Sequence, residues 1–363
     1  GGAWASRYGG RLVSAVGLVF AGAGMLFMGF TDKFFYVAIF GVISGLGSGA
    51  VNIAVMGLWP AWFSTKKRGM AAGIAVSGSS LGLILTGFIV PRIMEAYGEK
   101  AWQTCWILFG SITLLLAVGS YIVLRDKPAE MGLEPIGKTA ADITPMGTVS
   151  TNWKQVYFSA PVWFLGIVYT AFGFSYIIFM TFFVKHLISD AGFTALAAGR
   201  LFMVMGGFSV FSGLIWGSIS DSIGRPKTLM ILYLIHTLAF AMFAAGGKPF
   251  YFVISAVLYG ITAWSIPAIM SAACGDLLGP QLAPASLGFI TLFFGIGQVL
   301  GPVAAGAMAD AAGSFSPVFV LASAISLMGA AGAGMLIKVT AYHGKQSEGI
   351  SFQLVEDDKW VNK

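Results

Sequence analysis

Charged side chains are scarce in this sequence: Asp, Glu, Lys and Arg make up 10% of its 363 residues, against roughly 25% in soluble domains. That shortage excludes a water-soluble globular protein. With 57% hydrophobic residues and a mean hydropathy of +0.83, the chain belongs in a bilayer. Cysteine is equally sparse. Cys105 and Cys274 fall near the ends of different apolar runs, on opposite sides of the expected membrane, which argues against a disulfide between them and leaves the redox compartment open. There is no Walker loop, no HExxH pair, no Gly-x-Ser-x-Gly turn and no Cys/His cluster, so ATP-driven pumping and the common hydrolytic and metal chemistries lack their parts. We therefore expect no enzyme activity, catalytic residue, metal or cofactor. No Asp or Glu stands in the middle of an apolar run, so the carboxylate that commonly titrates inside a membrane is not found in these spans.

Apolar length is what the chain has in plenty. Ten runs are long enough to cross a bilayer as helix, near residues 12–31, 34–62, 70–90, 102–124, 156–184, 201–220, 228–245, 250–273, 287–309 and 315–337. A β-barrel would show short alternating segments instead, so the fold class is an all-α membrane protein. The 49 glycines are about twice the usual share, which lets helices approach closely where lipid supplies no hydrophobic drive. The net charge of +6 follows from topology, and no nucleic-acid partner is expected. If the opening loop is cytoplasmic, fifteen of the 21 basic residues fall on that side. Six, among them Lys33, Arg92, Lys185 and Arg200, fall on the other. Leaving out Lys138, Lys154, Lys359 and Lys363, in a long connection and the far tail, the bias is still eleven to six. We expect a multi-pass protein of the bacterial plasma membrane with a cytoplasmic C-terminus.

The connection at 125–155, rich in Pro, Gly and Thr, reads as a cytoplasmic linker between a first bundle at 1–124 and a second at 156–340, followed by a polar tail at 341–363. Two internal matches support such halves. Residues 217–227, a charged and Gly-punctuated stretch, read as a tight loop between two membrane helices, and the chain's opening residues line up with it at an offset of 215, Ser6 standing on Asp221. Gly69, Gly78 and Gly82 match Gly288, Gly297 and Gly301 at an offset of 219. Two offsets within four residues of each other describe one duplication.

Here the sequence resembles the major facilitator superfamily of secondary transporters, through that family's loop Gly-x-x-x-Asp-x-x-Gly-Arg between its second and third helices and again between its eighth and ninth. The second copy is complete in Gly217, Asp221, Gly224 and Arg225; in the first, Gly2, Arg7, Gly9 and Arg11 fit while Ser6 replaces the Asp. The second half also resembles a poorly characterised bacterial branch, through 263–270 and 287–298. The resemblance implies two pseudo-symmetric helix bundles and places the ten spans as helices three to twelve. The chain, which opens Gly-Gly without Met, is then expected to lack helices one and two. It also implies that Asp221 holds the cytoplasmic side shut against the helix that begins near Lys66-Lys67-Arg68, and that the Ser6 counterpart latches more weakly.

The resemblance further implies a central cavity lined by helices one, four, seven and ten, the last three of which fall within this sequence. Asn52 in helix four, Tyr169, Ser175 and Tyr176 in helix seven, and Thr262, Trp264 and Ser265 before Pro267 in helix ten are candidates to meet substrate. Packing or helix-to-helix hydrogen bonding is the alternative for each. Arg200, opening helix eight, would either bind a carboxylate bidentately or lie at the headgroups. Gln298 in helix eleven reads equally as a cavity residue or an interhelical hydrogen bond. His236, mid-span in helix nine, reads as a satisfied core histidine. The expected function is a secondary active transporter of a small organic solute, an organic anion among the candidates, working as a monomer by alternating access; a coupling proton is an open candidate partner. A multidrug-type efflux antiporter is weighed against it, although Gly78 and Gly82 are followed by Leu83 and not by the Pro of that branch. A non-transporting sensor or scaffold on the same fold is the reading from another class.

Overall fold

A computed structural model describes Trp4 and residues 7–63, 65–137, 154–278 and 282–337. By contacts the chain divides into two compact units, one of Gly1–Ser79 and Leu85–Gly147, the other of Ser80–Ile84 and Thr148–Lys363. Among the described residues the secondary structure is helical apart from one isolated bridge between Phe63 and Ile136.

The first unit contains α1 (Gly10–Gly29), α2 (Phe34–Trp62), α3 (Thr65–Tyr97, apart from Ser80–Ile84, which group with the second unit) and α4 (Ala101–Val123). α1 packs on α2 and on α4, and small residues set the distance. A Cβ added to Gly22 would lie 3.0 Å from the carbonyl oxygen of Gly110, and one added to Gly110 would lie 2.6 Å from the amide of Leu26. The two backbones are thus in contact, which holds helices together through van der Waals packing where lipid is as apolar as any side chain. Large apolar side chains point outward instead: Phe34 is 85% exposed, Leu115 72% and Val123 76%. A water-soluble protein could not keep such a surface, whereas acyl chains solvate it. The first part of the expected linker is folded onto this unit. The amide of Ile136 donates to the Trp62 carbonyl at 2.9 Å and the Trp62 indole donates to the Arg125 carbonyl at 2.9 Å.

The second unit holds α5 (Ala160–Ser189), α6 (Ala195–Ser209), α7 (Ser212–Ile223), α8 (Arg225–Ala245), α9 (Pro249–Gly260), α10 (Ser265–Leu278) and α11 (Ala283–Ala312), with α12 over Ser316–Ile337. Start signals are local: the Thr194 side chain accepts the Ala197 amide ahead of α6, and α5, α8 and α9 carry Pro in their first turn, where a missing N–H leaves nothing unpaired. The core is aromatic. Phe179 touches Phe183, Phe240, Phe243, Tyr259 and Phe319 with ring centroids 4.7–5.9 Å apart, in mostly tilted or edge-on pairs, the arrangement that ring quadrupoles favour by about 0.5–1.5 kcal/mol a pair. Tyr233 on α8 fixes two more helices, donating its hydroxyl to the Val168 carbonyl at 2.6 Å while its own carbonyl accepts from Ser326 at 2.9 Å.

Among the described residues eight helical tracts are long and apolar enough to cross a membrane, and nine when the bent pair α6–α7 is counted as one. Two of the ten predicted runs make a single tract, because α3 continues through the 3-10 turn Gly98–Lys100 into α4. The run at 201–220 was expected as one helix; it is α6 and α7, bent by 42° at Val210-Phe211.

Beside the start of α12, Asp190 follows the last residue of α5 and accepts hydrogen bonds from the Phe315 amide at 2.6 Å and from Ser314 at 2.9 Å, with Ser189 at 2.7 Å and His186 Nδ1 at 3.0 Å. Partial burial raises the pKa of this carboxyl, but those hydrogen bonds more than offset it and leave the group below its ordinary 3.8. A carboxylate depressed on folding stabilises the fold above its unfolded pKa and loses that contribution as pH falls through the folded value. Asp190→Asn is accordingly expected to lower the melting temperature at pH 7 and to flatten the decline as pH falls below about 4. Parallel acid declines for wild type and variant in a thermal-shift series would exclude this role.

Candidate functional site

The two charged loops are turns of one residue each. Residues 217–227 were expected to form a loop, yet α7 runs to Ile223 and α8 begins at Arg225, so Gly224 alone is non-helical. It has φ 91° and ψ 150°; in the first unit Gly9, which precedes α1, has φ 86° and ψ 150°. Other residues rarely adopt positive φ, which is why glycine stands at both. The duplication read from the sequence thus has a backbone counterpart. At this register Gly10, not Arg11, stands opposite Arg225.

Asp221 lies in the last turn of α7 and not beyond it, and 68% of its side chain is exposed. Arg225 donates to Asp221 at 2.5 Å, to Ser220 Oγ at 3.0 Å and, through Nε, to Asp276 near the end of α10 at 3.0 Å. One guanidinium therefore ties the ends of α7, α8 and α10 together. Asp276 is the second acid of this cluster. The side chains of Lys66 to Arg68, the expected partners of Asp221, lie outside the described residues, as do Gly2 and Ser6.

In the first unit Asp126 is the acid that sequence reasoning missed. Its Oδ1 accepts the Arg11 amide at 2.8 Å, while Arg11 Nε donates to the Tyr121 carbonyl at 2.7 Å and its guanidinium lies 4.4 Å from the Tyr121 ring centroid. A carboxylate at the N-terminal end of α1 meets unpaired amides and the positive end of the helix dipole. Arg7 lies 5.4 Å from the ring of Tyr8.

The predicted cavity residues of helices seven, ten and eleven all belong to the second unit. On α5, Tyr169, Phe172 and Tyr176 form one stripe at helical spacing. Phe294 of α11 stacks on all three, at 4.7, 5.8 and 5.6 Å. Gln298, one turn further along α11, donates from Nε2 to the Tyr176 hydroxyl at 2.5 Å. This wall of four rings and one amide is possible because α5 and α11 touch backbone to backbone. A Cβ on Gly297 would stand 2.4 Å from the Thr170 carbonyl oxygen, and one on Gly301 2.7 Å from that of Phe174. The first-half counterparts Gly78 and Gly82 have nothing so close among the described residues. Phe172 and Phe294 were not singled out in the sequence; the signal was the spacing 169, 172, 176. Tyr169 is buried, and its hydroxyl makes no hydrogen bond among the described residues.

Trp264 lies in a break. α9 ends at Gly260 and α10 starts at Ser265, so the helix opens before Pro267, which sits harmlessly in the first turn of α10. This break meets the one between α6 and α7: the Trp264 amide donates to Ser212 Oγ at 3.3 Å, Ser265 Oγ donates to the Ser212 carbonyl at 3.0 Å, and the Trp216 indole donates to the Ile261 carbonyl at 2.8 Å. The Trp264 indole donates to Ser80, which also accepts from Ser209. The only polar atom of that ring is therefore already engaged. Ser175 and Thr262 likewise turn their hydroxyls back onto carbonyls of their own helices.

Arg200 does not open its helix: it is the sixth residue of α6, about 8 Å along the axis from the start. It is exposed, and no ion pair or hydrogen bond engages it among the described residues. Asn52, in α2 of the first unit, is exposed and without a partner among the described residues. His236 is not satisfied either. It is fully buried and, among the described residues, neither ring nitrogen has a hydrogen-bond partner.

The sequence model of the Major Facilitator Superfamily matches residues 1–249 and 210–355. The chain is 25% identical to monocarboxylate transporter 13 of Rattus norvegicus over 342 residues, covering 93% of this chain and 75% of that one. It is 23% identical to the hexuronate transporter of Bacillus subtilis over 355 residues, 90% and 79% of the two chains, and 24% identical to a probable sulfoacetate transporter of Cupriavidus necator over 357 residues, 91% and 79%. Among solved structures it is similar to a bacterial homologue of the human lysosomal transporter Spinster, in an inward-facing and unoccupied conformation, with a TM-score of 0.61 at 15% identity over 94% of this chain and 83% of that one. It is also similar to the fucose:proton symporter of Escherichia coli, with a TM-score of 0.58 at 13% identity over 90% and 83%. At such identities the structural likeness speaks for the fold. An all-helical chain whose apolar tracts cross the bilayer several times, with the family's sequence signature along nearly all its length, moves small solutes through a membrane instead of converting them chemically: it belongs to the Major Facilitator Superfamily.

Proposed function

We propose that this protein is a secondary transporter of a small organic anion, working by alternating access in a bacterial plasma membrane with its C-terminus in the cytoplasm. The observation that carries the reading is that three relatives, matched along nine-tenths of the chain, are named for monocarboxylate, hexuronate and sulfoacetate. Small acids bearing a carboxylate are what these solutes have in common. In this reading residues 1–124 and 156–340 are the two bundles, 125–155 the connecting linker and 341–363 a cytoplasmic tail, and the protein acts as a monomer. Tyr169, Tyr176 and Gln298 offer an aromatic wall with a phenol and an amide for the solute's uncharged part. Arg200 supplies the charge, since an unpaired guanidinium within a membrane helix is expensive to keep unless it has an anion to meet. Asn52 and Trp264 are candidates for the remaining contacts. The charged clusters around Arg225 and Arg11 act as gates and leave affinity to the wall.

Purified protein in proteoliposomes is expected to take up at least one of lactate, glucuronate and sulfoacetate, and to leave a lipophilic cation such as ethidium behind. Arg200→Leu is expected to lower anion uptake at least tenfold, about 1.4 kcal/mol, and Gln298→Leu to raise KM with little change in maximal rate. Movement of ethidium but of no anion would point to the efflux reading. A protein that binds an anion yet carries nothing would point to a sensor.

A further inference from the structure

The wall differs from the core in the attitude of its rings. Around Phe179 the rings meet at 38–84°, whereas Tyr169, Phe172, Tyr176 and Phe294 lie within 21° of parallel in every pair that touches. Tilted rings close a core on all sides, while parallel ones leave a flat face on which a further flat ring can lie offset. Tyr169 and Phe172 are buried, so the part of the wall still open is Tyr176, Phe294 and Gln298, each only partly covered. A puckered solute touches such a face at a few atoms. A planar one covers it.

The polar end of that face makes a definite demand. Gln298 Nε2 donates to the Tyr176 hydroxyl oxygen at 2.5 Å, and neither side chain has another hydrogen bond among the described residues. The phenolic O–H of Tyr176 therefore still has to donate, and Oε1 of Gln298 still has to accept. Turning the amide over exchanges these roles and leaves the same sum, one donor and one acceptor side by side. Tyr176 is the 17th of the 30 residues of α5 and Gln298 the 16th of the 30 of α11, so both stand midway across the bilayer, where an unmet hydrogen bond is costly. A group that donates once and accepts once answers the demand. A hydroxyl does both, whereas a carboxylate only accepts and an ammonium only donates. Tyr169 lies two turns before Tyr176, about 10 Å along the same face, and its hydroxyl is free among the described residues.

We infer that the wall is a binding site for a hydroxylated aromatic ring, and that the carried anion is a hydroxyaryl carboxylate, of which para-hydroxybenzoate is the simplest. The ring lies against Tyr176 and Phe294. Its hydroxyl accepts from Tyr176 and donates to Gln298, and the carboxylate, at the opposite end of the ring, points along the stripe toward the free hydroxyl of Tyr169. A site built around a hydroxyl rejects the analogue that lacks one, because its own polar groups are then left unpaired. The inference rests on the reading of the wall as the solute surface and of the solute as an organic anion.

Equilibrium binding to the full chain in nanodiscs, measured by calorimetry, tests it. In wild type para-hydroxybenzoate is expected to bind about tenfold or more tightly than benzoate, which lacks the hydroxyl, and than its ring-saturated cyclohexane analogue, which keeps both polar ends on a puckered ring. These comparisons do not depend on any variant folding. In Tyr176→Phe, which keeps the ring, and in Gln298→Leu, the preference for para-hydroxybenzoate over benzoate is expected to fall below about threefold. Lost packing alone would weaken both acids and leave their ratio unchanged. Equal affinities for the three acids in wild type, or a preference undiminished in both variants, would overturn the inference. Uptake of lactate, glucuronate or sulfoacetate without that preference overturns it as well and leaves the organic-anion reading standing. Equal binding of para-hydroxybenzoate and the uncharged para-hydroxybenzyl alcohol supports the hydroxyaryl site and overturns the anion reading.

Discussion

Replacing Gly297 with leucine is expected to abolish transport, with uptake reduced at least 100-fold. A Cβ there would stand 2.4 Å from the Thr170 carbonyl oxygen and 2.7 Å from the Phe174 amide, all of it backbone that cannot swing aside. α11 must then move away from α5, and the wall comes apart: Phe294 leaves Tyr169 and Gln298 leaves Tyr176, pairs now at 4.7 and 2.5 Å. Overpacking of this kind costs about 1–3 kcal/mol or more, and displacement of a binding wall adds to that in lost affinity. Gly295→Ala, two residues away with nothing within 4 Å of its would-be Cβ, is the control and is expected to behave as wild type. The measurement is uptake of the carried anion, alongside size-exclusion behaviour and melting temperature. Full activity in Gly297→Leu would mean that the wall of α5 and α11 has no part in solute binding.

The second large effect is expected at Arg225. Its side chain holds Asp221 and Asp276 at once, and its removal leaves two carboxylates of like charge at the ends of α7 and α10 with nothing between them. Arg225→Leu is expected to slow transport about tenfold while the affinity for the anion stays within about threefold, because the cluster is far in sequence and function from the wall. Each exposed pair on its own is worth little, about 0.2–1 kcal/mol; the effect comes from three helix ends being held by one group. Arg225→Lys recovers part of the rate only, since an ammonium lacks the planar fork that reaches both acids. Asp221→Asn keeps Arg225 on Asp276 and is expected to lower rate more than binding, by less than Arg225→Leu. Stopped-flow uptake together with equilibrium binding separates the two quantities. Equal losses in both would move this cluster from gating to solute recognition.

The membrane class, the helical runs and the repeated loop were legible because they rest on composition and on glycine. Gly9 and Gly224 needed a positive φ that few other residues tolerate, and that need is written in single letters. The partners in space were not legible. Asp126 is 115 residues from Arg11 and Asp276 is 51 from Arg225, so no spacing rule pairs them. Nor was the break before Pro267 legible: the chain opens at Gly260 to Trp264 where Ser212 and Trp216 supply substitute hydrogen bonds, and Pro merely begins the next helix. Asn52 and Arg200 stood out as polar residues in apolar runs, which says that they are costly and leaves open what they face. His236 was read as satisfied because most buried histidines are, and only the fold shows that its neighbours are rings.

The breaks of α6–α7 and of α9–α10 are joined by Ser212, Ser265 and Trp216, and the far ends of α7 and α10 are joined again by Arg225. α7 has 12 residues and α10 has 14, nearly equal lengths between the two fastenings. Two rods pinned together at both ends form a frame that cannot shear or swivel internally; it can only tip as one piece about the pinned breaks. Any force that separates Arg225 from its acids at one end therefore arrives at Trp264 as leverage, about 18 Å away along the 12 residues of α7.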